Sequence, residues 1–465
     1  MPKFPLEKII GIAGKENVLT REEDLLCYGY DASKLKGAPA VVVFPSGVEV
    51  ISGLLRLAHQ RRIPVVARGA GSGMVGGSVP PEGAIVLALN RLNRILEIDS
   101  GNMLAVVEPG VVTADLQARA REQGLFYPPD PASMRFSTIG GNVAMCSGGP
   151  SAVKYGVTRD YVMGLEAVLP NGDIIHTGGR TAKGVVGYDM TRLLVGSEGT
   201  LAVFSKIILK LIPAPEASRT MTAVFPALEE AGRAVSEIIR RRVIPSTLEL
   251  LDQATLRVVE DHLHAGLPVD AEAMLLIEVD GRECILDEDV ERIRAVCQEM
   301  GASKTEVAST AAERDLLWLA RRSISPALRK IRPDKLNEDV VVPRVRVPEL
   351  IREIRAIADE YRLIVVTFGH AGDGNMHVNV MLDRRDADEL HRAGQAVESL
   401  FKAVLRLNGT ISGEHGVGIA KSPFFRMEVG DEGYAAMLAI KRALDPHNIL
   451  NPGKMFVPNR AFLGG

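Results

Sequence analysis

Two histidines, His370 and His377, stand on either side of a turn in the second half of the chain. Residues 363–368 and 377–382 are apolar, strand-like runs, and Asp373-Gly374 between them is typical of a two-residue hairpin turn. Counting outward from that turn pairs His370 with His377, so their Cβ atoms should lie roughly 4.5–5.5 Å apart on one face. Two facing imidazoles with a carboxylate suit a divalent metal such as zinc, manganese or iron. A polar hairpin with a buried histidine pair is the alternative.

A carboxylate and a third histidine follow in a glycine-rich segment, residues 413–416, as Glu414 and His415. Three protein ligands around a metal would leave coordination positions open for a substrate. Asn379 lies two residues after His377, so its side chain should point to the same face of the strand. Joined to the hairpin histidines, Glu414 and His415 strengthen the prediction of a metal site.

A glycine-rich loop, residues 68–77, follows the apolar strand that we predict at residues 63–67. It contains the pattern Gly-x-Gly-x-x-Gly between Gly71 and Gly76, which is typical of dinucleotide-binding βαβ units when a helix begins at the loop. Pro80-Pro81 follows and prevents a helix there, which disfavours the Rossmann interpretation. What remains is a run of backbone N–H groups that can bind an anion, with a merely flexible loop as the alternative.

The composition is that of a soluble globular protein of 465 residues, long enough for about three domains. Formal charges are 55 positive and 58 negative, which argues against nucleic acid as the main partner. Four cysteines lie far apart, which argues against a disulfide scaffold and against an iron–sulfur cluster bound by clustered thiolates. We see no apolar stretch long enough for a signal sequence or a membrane span, so a cytoplasmic protein is expected.

Strand and helix patterns alternate along the chain and predict an α+β fold. Residues 48–60 carry apolar residues at helical spacing after Pro45-Ser46, whereas residues 127–156 show almost no periodicity and are expected to form turns. Pro213 and Pro215 mark the best domain boundary. We therefore expect three parts, which are residues 1–215, an α+β part of residues 216–410 and a C-terminal segment of residues 411–465.

The order of glycine- and proline-rich segments between residues 41 and 213 resembles the FAD-binding domain of the vanillyl-alcohol-oxidase superfamily (PCMH type). The segments that carry the resemblance are residues 68–77, 108–110, 128–131, 137–144 and 196–201. The resemblance implies flavin contacts at Pro45, Arg68, Gly69, Ala70, Gly71, Ser72, Gly73, Pro109, Gly110, Asp130, Pro131, Ser137, Thr138, Gly140, Gly141, Asn142, Ala144, Gly148, Gly149, Tyr155, Asp160, Glu198, Gly199 and Val203. Because the first loop holds no histidine that could attach the flavin, FAD is expected to be bound non-covalently.

The later part of the chain resembles the C-terminal half of FAD-linked D-2-hydroxy acid dehydrogenases, a group that includes D-lactate dehydrogenases and the flavin subunit of glycolate oxidase. The resemblance rests on residues 368–379 and 412–418. It implies a substrate (cap) domain at residues 216–410 and a segment that returns to the flavin at residues 411–465. It also implies that the metal ligands are His370, His377 and Glu414. In the same family pattern, Asn379 contacts the substrate and His415 is the general base.

Two further segments match the same family. The match at residues 318–321 implies that Arg321 binds the substrate carboxylate, a task that suits a planar guanidinium, although a solvated helix face is the alternative. The match at residues 445–453 implies that Asn451 lies near the flavin ring. The sequence departs from relatives that bind a dicarboxylate, because Asn337 occupies the position where those relatives carry a lysine. A short substrate is therefore favoured over a long dicarboxylate.

The resemblance implies an FAD-dependent, metal-assisted oxidation of a short D-2-hydroxy acid, with D-lactate or glycolate favoured, to the 2-oxo acid. Electrons would pass to a separate acceptor, such as an electron-transferring flavoprotein, an iron–sulfur subunit or a quinone. The alternatives are an oxidase that uses dioxygen, a D-2-hydroxyglutarate-type dehydrogenase and a flavin-bearing electron-transfer subunit. A homodimer and an association with membranes through partners stay open.

Overall fold

The structure, a computed structural model, describes residues 4–457. Within this range the strands are β1 (Val18–Leu19), β2 (Pro39–Val43), β3 (Val65–Arg68), β4 (Ala84–Ala88), β5 (Ile95–Asp99), β6 (Leu104–Val107), β7 (Leu125–Phe126), β8 (Val162–Val168), β9 (Ile174–Gly178), β10 (Val203–Lys210), β11 (Ile212–Pro213), β12 (Ala217–Phe225), β13 (Thr247–Asp252), β14 (Ala273–Gly281), β15 (Lys304–Val307), β16 (Asp334–Val341), β17 (Ile364–His370) and β18 (Asn375–Leu382).

The helices of the same range are α1 (Leu6–Ala13), α2 (Glu22–Leu26), α3 (Val48–Arg61), α4 (Thr113–Arg121), α5 (Ile139–Met145), α6 (Ala152–Tyr155), α7 (Met190–Leu194), α8 (Leu228–Arg240), α9 (Gln253–Leu263), α10 (Glu283–Glu299), α11 (Ala311–Arg322), α12 (Ile324–Ala327), α13 (Val347–Tyr361), α14 (Ala387–Arg406) and α15 (Ser422–Leu444). Helix α15 is kinked at Gly430. None of the described helices is both long enough and apolar enough to span a bilayer.

Residue contacts divide the chain into two compact units. Each unit contains both strands and helices, which confirms the predicted α+β class. Within the described residues, the first unit comprises residues 4–147, 157–214 and 414–457. The second unit comprises residues 148–156 and 215–413.

The first unit contains a small mixed sheet and a larger antiparallel one. In the mixed sheet the strand order is β1-β2-β4-β3, and β4 runs parallel to both β2 and β3. The larger sheet has the order β5-β6-β10-β8-β9. Helix α3 packs its apolar side, with Ile51 and Leu55, against Val41 and Ile85 of the mixed sheet. The helix predicted at residues 48–60 is therefore confirmed, and it ends where Arg62 adopts φ 55°.

The turn prediction for residues 127–156 is wrong in part, because this segment holds the helices α5 and α6. Thr138 caps α5, and its Oγ1 accepts a hydrogen bond from the backbone N–H of Gly141 at 3.3 Å. Two glycines and a length of two turns leave α5 without an amphipathic pattern, so periodicity could not find it.

The second unit is built on one antiparallel sheet of seven strands with the order β15-β12-β14-β13-β17-β18-β16. One face of this sheet packs against α9 and α12 through a core that includes Leu251, Val366 and Met381. Side chains two residues apart on a strand share a face. Glu249, which precedes Leu251 by two positions, and His370, four positions after Val366, therefore lie on that same face.

A buried ion pair holds the end of the first unit together. Lys441 of α15 donates to the Asp445 carboxylate at 2.5 Å and to the carbonyl oxygens of Thr200 and Leu450, and burial lowers its pKa. Asp445, 1 % exposed, also accepts hydrogen bonds from the backbone N–H groups of Ile449 and Leu450. The pair thereby fixes the turn that precedes Asn451.

We expect Asp445→Ala to lower the free energy of unfolding by about 3–5 kcal/mol, because it leaves the Lys441 charge buried without its partner. Asp431→Ala on the same helix removes an exposed ion pair with Arg426 and should leave the free energy of unfolding almost unchanged. Urea unfolding of both variants measures the difference. Equal effects of the two substitutions would contradict a structural role for the buried pair.

Candidate functional site

His370 and His377 come together on the sheet of the second unit, but not in the predicted register. The structure pairs His370 with Asn375 and His377 with Phe368, so the loop of the hairpin has four residues instead of two. The prediction of directly opposed histidines is wrong by two positions. A shift of two keeps every side chain on its face, whereas a shift of one would have reversed them. The two Nε2 atoms consequently lie 3.4 Å apart, and both side chains are buried.

Glu249 is a residue of this site that the sequence interpretation missed, as it missed Asp339. It lies on β13, where the register continues from Leu251↔Phe368 to place it opposite His370. Its carboxylate accepts hydrogen bonds from His370 Nδ1 and from Arg321 Nε, and the side chain is completely buried. The signal was a carboxylate with apolar neighbours on both sides in the strand, which is informative because acidic residues are rarely buried without a partner.

Burial acts to raise the pKa of the Glu249 carboxyl, but the positive charge of Arg321 and the hydrogen bonds from Arg321 and His370 outweigh burial and lower it to about 2. Arg321 stands near the end of α11, and its guanidinium carbon lies 5.0 Å from the centre of the Phe368 ring. Glu249 therefore holds a histidine and a charged arginine at one place on the sheet.

Asp339, on β16, is a second buried carboxylate of the same face. It lies opposite His377 and accepts hydrogen bonds from Asn375 Nδ2 at 2.6 Å and from the backbone N–H of Gly413 at 2.9 Å. A Cβ atom at Gly413 would come within 2.6 Å of the Asn375 amide, so only glycine fits. This carboxylate fixes the backbone immediately before Glu414 in the chain.

Asn379 lies two positions after His377 on β18, as predicted, and is completely buried. Its cross-strand neighbour on β16 is Asn337. The Oδ1 atoms of both side chains are buried and accept no hydrogen bond from the described part of the chain. A buried acceptor without a donor is costly, so this pair of amides is suited to a polar ligand.

The first unit carries a second candidate site, the loop of residues 68–77. None of the backbone N–H groups from Ala70 to Gly77 donates to an acceptor within residues 4–457. Arg68, 6 % exposed, donates to Ser78 Oγ at 3.2 Å. A buried cation beside a run of free amides forms an anion cradle, which fits the diphosphate of a dinucleotide. The absence of a helix between β3 and β4 in the described structure confirms the argument against a Rossmann loop.

Other predicted flavin segments contact this loop or one another. A Cβ atom at Gly69 would lie 2.2 Å from Thr138 Oγ1, and one at Gly140 would lie 2.5 Å from Pro109. Asn451 Nδ2 donates to the carbonyl oxygens of Gly77 at 2.8 Å and Glu198 at 2.6 Å. The other predicted flavin residues of this unit are Pro45, Ser72, Gly73, Gly110, Asp130, Pro131, Ser137, Gly141, Asn142, Ala144, Asp160, Gly199 and Val203.

Some predicted residues have other partners. Gly148, Gly149 and Tyr155 belong to the second unit, where the Tyr155 hydroxyl donates to Asp280 at 2.8 Å. The Glu198 carboxylate accepts hydrogen bonds from the backbone N–H groups of Val417 and Gly418, both at 2.7 Å. Their flavin contacts stay predictions, as does the role of Glu414 and His415, which begin the last part of the first unit.

Family models match both parts of the chain. One, described as "FAD binding domain", matches residues 39–178, and another, described as "FAD linked oxidases, C-terminal domain", matches residues 214–455. The second match covers more than half of the chain. This protein belongs to the FAD-linked oxidase family. The resemblance inferred from the glycine-rich loops and the histidine motifs is confirmed.

Named relatives of this FAD-linked oxidase cover nearly its whole length. A protein of Bacillus subtilis (strain 168) named "Glycolate oxidase subunit GlcD" is 47% identical over 97% of this chain and 96% of its own. A "D-lactate dehydrogenase" of Anaerostipes hadrus is 34% identical over 97% and 96%. The crystal structure of p-cresol methylhydroxylase with substrate bound is 19% identical, with a TM-score of 0.78 over 97% of this chain and 96% of the other. The last likeness confirms the predicted fold type.

We expect Gly71→Ala to lower FAD occupancy well below one per chain. Gly71 has φ +69°, and an added Cβ would lie 2.2 Å from Arg68 Nη2, so the guanidinium would have to move from its present position. Gly83→Ala is the matched control. Gly83 has φ +77° with open space around it, so an alanine there introduces backbone strain without a steric clash. The absorbance ratio of flavin to protein measures occupancy. Equal occupancy in the two variants would place the cofactor elsewhere.

Proposed function

We propose that this FAD-linked oxidase family member oxidises a short D-2-hydroxy acid, D-lactate or glycolate, to the 2-oxo acid with the help of a divalent metal. The observation that carries the proposal is the pair of buried imidazoles 3.4 Å apart, with Arg321 held beside them by Glu249. The names of the relatives, glycolate oxidase subunit and D-lactate dehydrogenase, support this choice of substrates.

His370, His377 and Glu414 are the proposed metal ligands. The two histidines present neutral nitrogen donors, and a carboxylate completes a donor set that suits zinc, manganese or iron. Glu249 accepts a hydrogen bond from His370 Nδ1, the ring nitrogen that would not bind the metal. Histidines that bind a metal commonly donate to a carboxylate in this way. The residues present therefore fit a metal.

The chain itself binds, orients and deprotonates the substrate. Arg321 binds the carboxylate through its terminal nitrogens, Asn379 offers its Oδ1 as an acceptor to the substrate, and His415 takes the hydroxyl proton. When bound, FAD supplies an acceptor for the hydride of C2, and the metal supplies charge that favours the loss of the hydroxyl proton. The protein's contribution is mainly placement.

A short substrate is supported by Asn337. It faces the same side of the sheet as Asn379 and His377, and its amide offers no positive charge to a second carboxylate. A buried second carboxylate without a cation would be strongly disfavoured. This argument favours D-lactate and glycolate over a 2-hydroxydicarboxylate.

Electrons leave the flavin for a separate acceptor in this proposal. The four cysteines, Cys27, Cys146, Cys284 and Cys297, are all free thiols, and two of them are exposed. A partner protein with an iron–sulfur cluster or a flavin, or a quinone, would then take the electrons. The word "subunit" in the names of two relatives supports a protein partner.

Stopped-flow mixing of the FAD-loaded protein with single hydroxy acids tests the substrate class. We expect D-lactate or glycolate to bleach the flavin within the turnover time, and L-lactate and D-2-hydroxyglutarate to leave it oxidised. Exposure of the reduced protein to air should release peroxide only slowly. Rapid peroxide release would indicate an oxidase, and bleaching by D-2-hydroxyglutarate would overturn the argument from Asn337.

Variants separate the proposed base from the proposed ligands. His415→Asn should slow flavin reduction by about 10²–10⁴-fold, the usual contribution of a general base, at unchanged metal content. His377→Ala and Glu414→Gln should lose metal while the oxidised flavin spectrum stays normal. His176→Ala, which changes an exposed histidine of β9, is the control. Metal loss in His415→Asn with metal retained in Glu414→Gln would exchange the two roles.

A further inference from the structure

The completely buried Glu249 carboxylate accepts hydrogen bonds from two residues to which the proposed function gives different roles. Oε1 accepts from His370 Nδ1, and Oε2 accepts from Arg321 Nε. We propose that Glu249 is a positioning residue that sets, with one carboxylate, both the nitrogen that His370 offers to the metal and the direction in which Arg321 faces the substrate. This inference rests on the proposed function and assigns a role to a residue that no motif marked.

The histidine half follows from the chemistry of a carboxylate. An ionised carboxylate can only accept hydrogen bonds, so the imidazole of His370 must carry its proton on Nδ1. The lone pair is then on Nε2, the atom that lies 3.4 Å from His377 Nε2. With the opposite tautomer, a proton would occupy the position of the metal. Glu249 thereby selects the ligating form of His370.

The arginine half follows from the planarity of the guanidinium. Fixing Nε on Glu249 and one face on the Phe368 ring leaves the plane little freedom to rotate. The two terminal nitrogens of Arg321 form no hydrogen bond within the described residues. They remain as a two-pronged donor for a carboxylate ligand.

Only a carboxylate can satisfy both partners at once. Glutamine has the same shape, but its amide offers one acceptor and one donor group. If the amide oxygen faces His370, the amide NH₂ meets the Arg321 Nε–H, donor against donor, and Arg321 must turn. If the NH₂ faces His370, Nδ1 must accept, and the proton moves to Nε2, where it opposes metal binding. Glu249→Gln therefore cannot preserve both functions.

The experiment uses the full-length, FAD-loaded protein and Zn²⁺ alone as the metal probe. Zinc affinity is measured by competition with a chromogenic chelator, and the D-lactate concentration for half-maximal flavin reduction by stopped flow. For Glu249→Gln we expect zinc affinity to fall by about 10–100-fold, the usual effect of losing the hydrogen-bond partner of a ligating histidine. Alternatively, the D-lactate concentration for half-maximal flavin reduction should rise at least about tenfold. Both values within twofold of wild type would overturn the proposal.

Asp252→Asn is the matched control. Asp252 is a buried carboxylate on the same strand, but it caps α9 and accepts from the backbone N–H of Thr367 instead of contacting His370 or Arg321. It should lower stability and leave both readouts unchanged. Equal changes in Asp252→Asn and Glu249→Gln would assign the effect to general destabilisation and overturn the positioning role.

Should Glu249→Gln fail to fold, the wild-type protein still decides the question. Imidazole ¹⁵N chemical shifts of the zinc-loaded, histidine-labelled protein should show a proton on His370 Nδ1 and metal on Nε2, and the reverse would overturn the proposal. A wild-type chain that binds no zinc would overturn the proposed function and this inference together. Zinc binding that is unaffected by Glu249→Gln, with unchanged D-lactate saturation, would overturn this inference alone.

Discussion

A carboxylate buried in a β-sheet is tolerated only when each of its oxygens has a donor, because an unpaired buried charge is strongly destabilising. Glu249 meets this requirement with a histidine and an arginine, and Asp339 meets it with Asn375 and the N–H of Gly413. His370 and Arg321 are residues that the proposed chemistry needs, and Gly413 directly precedes Glu414 in the chain. Satisfying two buried charges therefore also orders the groups around them.

The register of the seven-stranded sheet decides which side chains take part in this arrangement. Alternate side chains of a strand share one face of the sheet. The site side chains of β13, β17, β18 and β16 all lie on one face, and α9 packs against another part of that face. The apolar end of that face packs against helices, and the polar end is left for the site. The division into a packed end and a chemical end follows from where each strand changes from apolar to polar residues.

The sequence predicted local structure correctly where glycine and proline spacing, helical periodicity or strand alternation determines it. The loop of residues 68–77, helix α3 and the shared face of His370 and His377 were all predicted correctly. The register was not, because Asp373-Gly374 also occurs in a four-residue loop. Glu249 was missed because its partners are more than seventy residues away in sequence, and no local pattern encodes a distant hydrogen bond.

The two sites differ in the groups that build them, and this difference determines how each can change. The loop around Gly71 offers mainly backbone N–H groups, together with the buried cation of Arg68, so its constraints fall on Arg68 and on glycines such as Gly69 and Gly71. On the sheet the chemistry depends on side chains such as Arg321 and Asn337, each held by its register or by a buried partner. A single substitution at Asn337 could thus alter the charge offered to a substrate while the strand pairing stays intact. Substrate choice can therefore vary on this fold without any change in how the cofactor loop is built.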